Sequence, residues 1–472
     1  MDGTGNQIGD SETNIVKFYR SLSQDEEQLT HYIMGVGTND SPSLIMRPLQ
    51  KFYAVLGFAF GLGLEDDVLK AYRWLCRNYV SADHRLKDWK NKHPRKKPTE
   101  WFQDDQIYVL GFSRGSYAAR VLTGFINNFG LVSENDLHLV TPAFRAYRSL
   151  TQRDHKDPAS VRYKALRQFQ AVMRPDHVPI RALALFDTVA SMIRLDWPWY
   201  TIPKYWSLAD LGLHANVESN PSVRIVVHAM AVDERRTFFR NLPWKKGEPY
   251  FGNPFRNPSQ ERKQYVTQRW FSGFHGDIGG SSREDEAGIG KITALWLLQA
   301  LEDAEKAADA EDLPHLNEKR AKLELEPLAE IPTNTLTFRR FNLDRYFRGE
   351  DKGPGKATNA GGYRYSAPDP YAPIHPTVFS NGWIPSLSWI WFILELIPPK
   401  ARLRAATKKP AWFRRLWPYY IPLMEPRFIP DDDEVDDSVF MRRDDPNTEY
   451  DPVNMTRPTP SDVTAWWEQG GD

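Results

Sequence analysis

Apolar and polar positions along this 472-residue chain fall into two rhythms. Four short apolar runs, Ile107–Leu110, Ile180–Phe186, Val223–Val232 and Val266–Phe271, are too brief for helices. Their β-branched and aromatic residues predict buried strands. Other stretches carry helical spacing. Leu64–Tyr79 places Val68, Ala71, Tyr72, Leu75 and Cys76 on one face, and Ile289–Ala308 is amphipathic. Asn14–Leu22 and the segment from Ser116 to about Phe129 also read as helix, and Ser133–Asp176 as helical and peripheral. His31–Met34 reads as a short strand running into the turn Gly35-Val36-Gly37-Thr38. Strands that alternate with helical or long connections predict an α/β fold with a mostly parallel central sheet covered by helices.

This rhythm bounds the domains. Residues 1–330 form the expected core, with Ala82–Asp105, polar and basic, as a surface insertion at about 80–105. Residues 331–472 are rich in proline and aromatics and lack the alternation. Within them Trp383, Trp389, Trp391, Trp412, Trp417, Tyr419 and Tyr420 are interleaved with Arg402, Arg404, Lys408, Lys409, Arg414 and Arg415. These aromatics suit packing as a C-terminal cap, the preferred reading, or docking at lipid headgroup depth. The acidic run Asp431–Asp437 reads most simply as a solvated loop.

Composition narrows the class further. Sixty-one basic residues balance sixty-one acidic ones, so no net field favours nucleic acid. Cys76 is the only cysteine, which excludes an intrachain disulfide and favours a reducing compartment. The polar start Met1-Asp2-Gly3-Thr4-Gly5-Asn6 lacks the apolar core of a signal peptide. A cytoplasmic protein, or one exported without a cleaved signal, is expected. The longest apolar candidate for a membrane span, Leu387–Ile397, is too short and holds Glu395.

Chemistry enters at Gly111-Phe112-Ser113-Arg114-Gly115, a Gly-x-Ser-x-Gly spacing between a strand and a helix. That order is a nucleophile elbow, in which the serine stands on a sharp turn at the positive end of a helix. A neutral serine needs a base, and the base needs a carboxylate to fix its tautomer. In an open parallel sheet such groups collect at the carboxyl ends of strands. The polar residues there, in chain order, are Ser113, Asp187, Asp233 and His275. His275, in a glycine-rich loop, is the candidate base; His228, inside a strand, reads as a packed core histidine. Asp187 is the preferred acid and Asp233 the alternative. The backbone N–H of Arg114 is one candidate oxyanion donor, and the turn holding Gly3 and Thr4 offers the second. No metal or cofactor is expected.

Seven motifs in register carry a family resemblance. They are Asp2-Gly-Thr-Gly-Asn, Asn14-Ile-Val, Gly35-Val-Gly-Thr, Gly111-Phe-Ser-Arg-Gly-Ser-Tyr-Ala-Ala-Arg, Phe186-Asp-Thr-Val-Ala-Ser, His228-Ala-Met-Ala-Val-Asp-Glu-Arg-Arg, and the run from Trp270 to Gly280. Over roughly residues 1–300 the chain resembles the α/β-hydrolase domain shared by type VI secretion phospholipase effectors and their uncharacterised bacterial and fungal relatives. The resemblance implies an α/β-hydrolase-like fold, with Ser113 as nucleophile, Asp187 as acid and His275 as base. It implies hydrolysis of acyl esters, with phospholipids as substrates. Relatives carry a strand before the Asp-Gly-Thr turn; here that strand would precede residue 1. Two other readings are an esterase or thioesterase for a small soluble ester, and a non-catalytic interaction module on a hydrolase frame. The sequence leaves oligomeric state open.

Overall fold

The four apolar runs are neighbouring strands of one sheet. A computed structural model describes residues 1–3, 12–35, 63–96, 98, 101–150, 161–189, 193–195, 209–211, 216–331, 335–351, 358–376 and 424–468. The strands are β1 (Tyr108–Phe112), β2 (Ile180–Phe186), β3 (Val223–Ala231), β4 (Tyr265–Phe271) and a fifth, β5 (Glu434–Val435). They lie side by side in that order and all pair in parallel. Register is fixed by pairs such as Leu110 with Ala184 and His228 with Gln268.

Both faces of the sheet are covered, which is why β2 and β3 read as nearly unbroken apolar runs. Side chains alternate with period two. Leu183, Leu185 and Val226 join the cluster under the helix that follows β1, α4 (Arg114–Phe129). Ala182, Ala184, Phe186, Val227 and Ala229 join the opposite cluster with Ile15 and Phe18 of α1 (Asn14–Ser21) and with α8 (Gly288–Lys322). Small residues on that face let the long helix lie close.

Every residue of α4 is buried. At its centre Phe125 meets Tyr72 of α2 (Leu64–Asn78) at 4.8 Å, Phe129 at 5.1 Å and Phe144 edge-on at 5.1 Å. Phe144 and Tyr147 belong to α5 (Val140–Arg148), which therefore buries a full face. Ser133–Asp176 is helical as expected, through α5 and α6 (Val161–Met173), but α5 is core and not peripheral. Its short length hides the apolar stripe Val140, Ala143, Phe144, Tyr147 within a basic sequence. The helix α3 (Ala82–Lys92) buries no residue. Helix α8 is longer than its amphipathic part because its buried residues stop at Ala308.

Three further differences come from single contacts that leave no periodic trace. His31–Met34 forms no strand; Ile33 O accepts one N–H, from Asp2 at 3.0 Å. Met1 lies along β1, its amine donating to Leu110 O at 2.8 Å and its carbonyl accepting from Phe112 N–H at 3.2 Å. The acidic run Asp431–Asp437 is not simply solvated. Asp433 accepts from Trp270 Nε1 at 3.0 Å, and buried Asp436 caps α9 (Asp437–Asp444) through Ser438 N–H at 3.0 Å. The stretch 424–468 thus contributes β5 and α9, and a third apolar cluster joins Met230, Val232 and Trp270 to Ile429, Val439, Phe440 and Met455. Trp383, Trp389, Trp391, Trp412, Trp417, Tyr419, Tyr420, the basic residues between them and the candidate span Leu387–Ile397 lie outside the described residues.

Candidate active site

Ser113 sits between the end of β1 and the start of α4 with φ 58° and ψ −124°. A non-glycine residue there costs about 1–3 kcal/mol, so the surroundings must enforce it. They do so by close approach. A Cβ on Gly111 would come within 2.6 Å of Ser116 Cα, and one on Gly115 would strike the Met1 carbonyl. Ser113 N–H donates to Phe186 O at 3.0 Å, and the Ser116 hydroxyl donates to the same oxygen at 3.0 Å. The turn is thereby anchored to the end of β2.

The residue after Phe186 is Asp187, also at positive φ (37°). The loop after β4 brings His275, the first residue of the short helix α7 (His275–Ile278). The structure brings these three side chains together. The Ser113 Oγ–H donates to His275 Nε2 at 2.6 Å, and His275 Nδ1–H donates to Asp187 Oδ2 at 2.6 Å. An ionised carboxylate only accepts, which fixes the proton on Nδ1 and leaves Nε2 as the base. Phe112 stacks on the imidazole at 4.9 Å and Phe239 meets it edge-on at 4.9 Å. The His275 N–H donates to Glu234 Oε2 at 3.4 Å.

Burial in this apolar setting pushes the His275 pKa below its ordinary value, and Asp187 offsets only part of that. The imidazole is therefore neutral at pH 7. Burial would push Asp187 upward, but the guanidinium of Arg427 and the bond from His275 outweigh it and hold the carboxyl well below the usual range. Arg427 was not among the residues expected from sequence. It donates from Nη1 to Asp187 Oδ1 at 2.5 Å and from Nη2 to Oδ2 at 2.9 Å. It also donates to the carbonyls of Ala231 and Phe239. The remaining acceptor site of Oδ1 takes the Ala231 N–H at 3.0 Å. A lone arginine in an aperiodic segment gives no sequence signal beyond apolar neighbours such as Ile429.

The other candidates are placed elsewhere. Asp233 does not contact the imidazole ring; its Oδ2 accepts from Gly273 N–H at 2.6 Å and Tyr450 OH at 2.9 Å. Burial pushes its carboxyl up to about 6. The Gly3 N–H is directed to Asp2 Oδ1 at 2.7 Å, and Thr4 lies outside the described residues. The Arg114 N–H opens α4 directly after the serine. His228 is fully buried, accepts from Thr188 N–H at 3.1 Å, and is held down to about 3 by burial and by Arg120. It packs as a neutral core residue. Asp277, two residues past His275, shapes the loop by accepting from Phe274 N–H at 2.9 Å and His375 N–H at 3.1 Å.

A parallel α/β sheet that presents a hydroxyl, an imidazole and a carboxylate in one hydrogen-bonded row defines the class of the molecule. The family follows: the model described as "T6SS, Phospholipase effector Tle1-like, catalytic domain" matches residues 1–300, and the chain belongs to this family of phospholipase effectors. An uncharacterised protein of Saccharomyces cerevisiae is 25% identical over 250 residues, 51% of this chain and 31% of its own length. The chain thus spans about a third of that curated relative. Among solved structures, an uncharacterised Pseudomonas aeruginosa protein is 16% identical, with a TM-score of 0.30 over 64% of this chain and 45% of that one. The Tle1 effector bound to the VgrG spike of the type VI secretion system is 18% identical, with a TM-score of 0.26 over 58% and 41%.

Proposed function

We propose that this chain is a serine hydrolase with an α/β-hydrolase fold that cleaves acyl esters of phospholipids. The observation that carries the reading is the row Ser113–His275–Asp187, with 2.6 Å at each link, on a strained turn at a helix N-terminus. Ser113 Oγ attacks the ester carbonyl while His275 Nε2 takes its proton. The oxyanion forms against the Arg114 N–H. The tetrahedral intermediate collapses, the alcohol leaves with the proton held by His275, and an acyl-serine remains. Water, deprotonated by the same imidazole, then releases the fatty acid. Asp187 keeps the imidazole in its working tautomer and stabilises imidazolium in each transition state.

Membership of a phospholipase effector family supports a lipid substrate. Among the described residues no helix is long and apolar enough to cross a membrane. The test is a lipid panel read by mass spectrometry with wild type and Ser113→Ala. Wild type releases fatty acid or lysolipid; Ser113→Ala loses about 10⁴-fold or more and stays folded. Hydrolysis retained by Ser113→Ala overturns the mechanism. Cleavage of monomeric short-chain esters with none of vesicles or micelles overturns the lipid assignment.

A further inference from the structure

Residues 424–455 lie far from Asp187 in the chain yet close around it. Arg427 reaches the carboxylate across 240 residues. Its backbone carbonyl is held by Asn454 Nδ2 at 3.0 Å, and the same amide binds Val232 O at 3.0 Å. Tyr450 holds Asp233 at the end of β3, and β5 pairs with β4, whose end carries His275. The ends of three strands that frame the site are thus tied by one segment. At its centre a fully buried guanidinium grips both oxygens of a fully buried carboxylate.

We propose that Arg427 is a positioning residue that acts through Asp187, fixing the carboxylate plane against His275 and keeping the Asp187–His275 pair in the form that can accept a proton from Ser113. This inference rests on the serine-hydrolase reading above. Two effects follow from the geometry. The planar fork leaves the carboxylate no rotation, so Oδ2 stays aimed at Nδ1. The second effect is charge. The competent pair has an ionised carboxylate and a neutral imidazole, a net charge of −1; with one more proton it is neutral and cannot act as base. A cation against the carboxylate favours the competent form, and its removal raises the pH at which the pair takes up that proton. The other charged groups facing the imidazole are Glu234 and Arg236, from the segment after β3, which pair with each other at 2.7 Å. Asp277 is turned to Phe274 N–H and His375. Among the described residues, Arg427 is thus the cation whose side chain bonds Asp187.

The experiment is the rate at which a fluorophosphonate labels the purified full chain between pH 5 and 9, with Ser113→Ala as the blank. Labelling needs the activated serine but no lipid. In Arg427→Gln the acid limb moves up by about one pH unit, so labelling on that limb slows by up to about tenfold. In Arg427→Lys the charge stays but the fork is lost; the limb stays in place and the plateau falls about fivefold. A thermal melt normalises each rate to folded protein. A limb and plateau in both variants equal to wild type, whatever their melting temperatures, overturn the proposal. Should Arg427→Gln yield no folded protein, an unchanged plateau in Arg427→Lys overturns it alone. Wild type that labels no faster than Ser113→Ala overturns the serine-hydrolase reading instead.

Discussion

Arginines face carboxylates at both ends of the sheet, and the two ends use them differently. At the amino ends of the strands, Arg181 meets Glu305 and Asp309, while Arg224 meets Glu311 and Asp312. Each cation there has two acids from α8; Glu305 is buried, while the acids of Arg224 remain 32% and 30% exposed. Arg181, Arg224, Asp309 and Asp312, with Tyr250 and Arg262, line a cleft of about 370 Å³. At the carboxyl ends, Arg236 pairs with Glu234, and Arg427 grips Asp187, both fully buried, while that carboxylate also serves His275. The amino-end clusters are redundant and partly hydrated, so they hold α8 to the sheet and tolerate loss. Among the described residues, Arg427 is the one arginine bonded to Asp187. Charge density alone does not mark the site; a titratable base tied into a dry, singly satisfied pair does.

The largest expected effect separates Asp187 from its neighbour. Asp187→Asn should cut ester hydrolysis about 10⁴-fold, because the amide cannot hold the working tautomer. Asp233→Asn should cost less than about tenfold, since its carboxylate serves Gly273 N–H and Tyr450 OH and not the imidazole ring. Steady-state kinetics on both variants would check this, and the reverse ranking would move the acid to Asp233.

At the opposite end, Arg224→Met should lower stability by about 1–3 kcal/mol, because Glu311 and Asp312 can regain water. Its kcat/KM should stay within about twofold of wild type. Denaturant unfolding and turnover measured on the same preparation test the contrast. A large loss of turnover would show that the two ends are coupled.

The smallest expected effect is in pH dependence. Burial holds His275 below its ordinary pKa of 6.5, and the neutral ring is the working form. Activity should therefore keep its plateau as pH falls to 6.5 and drop only as pH passes through the lower His275 value. A limb at or above 6.5 in kcat/KM would mean that the site is wetter, and closer to the amino-end clusters, than described.

Much of this arrangement was legible in the chain, and what was not shares a cause. β1 to β4 announced themselves because strands covered on both faces must be continuously apolar. Ser113, Asp187 and His275 stood out because each follows such a run, and the structure puts them within hydrogen-bond reach. β5 has two residues and no period to detect. Arg427 is one of sixty-one basic residues, set in a segment without regular structure. Phe144 and Tyr147 were missed because a nine-residue helix shows barely two turns of pattern. Features encoded by repetition could be read; those encoded by one long-range contact could not.

The contact between residues 187 and 427 also sets a timetable for the newborn polypeptide. Ribosomes add about 5–20 residues per second, so roughly ten seconds or more separate the emergence of His275 from that of Arg427. During that interval serine, histidine and aspartate are all synthesised, but the carboxylate lacks the cation that lets it stay ionised in a dry interior. On the proposed reading, the nucleophile is completed only once the segment carrying Arg427 has docked against Asp187.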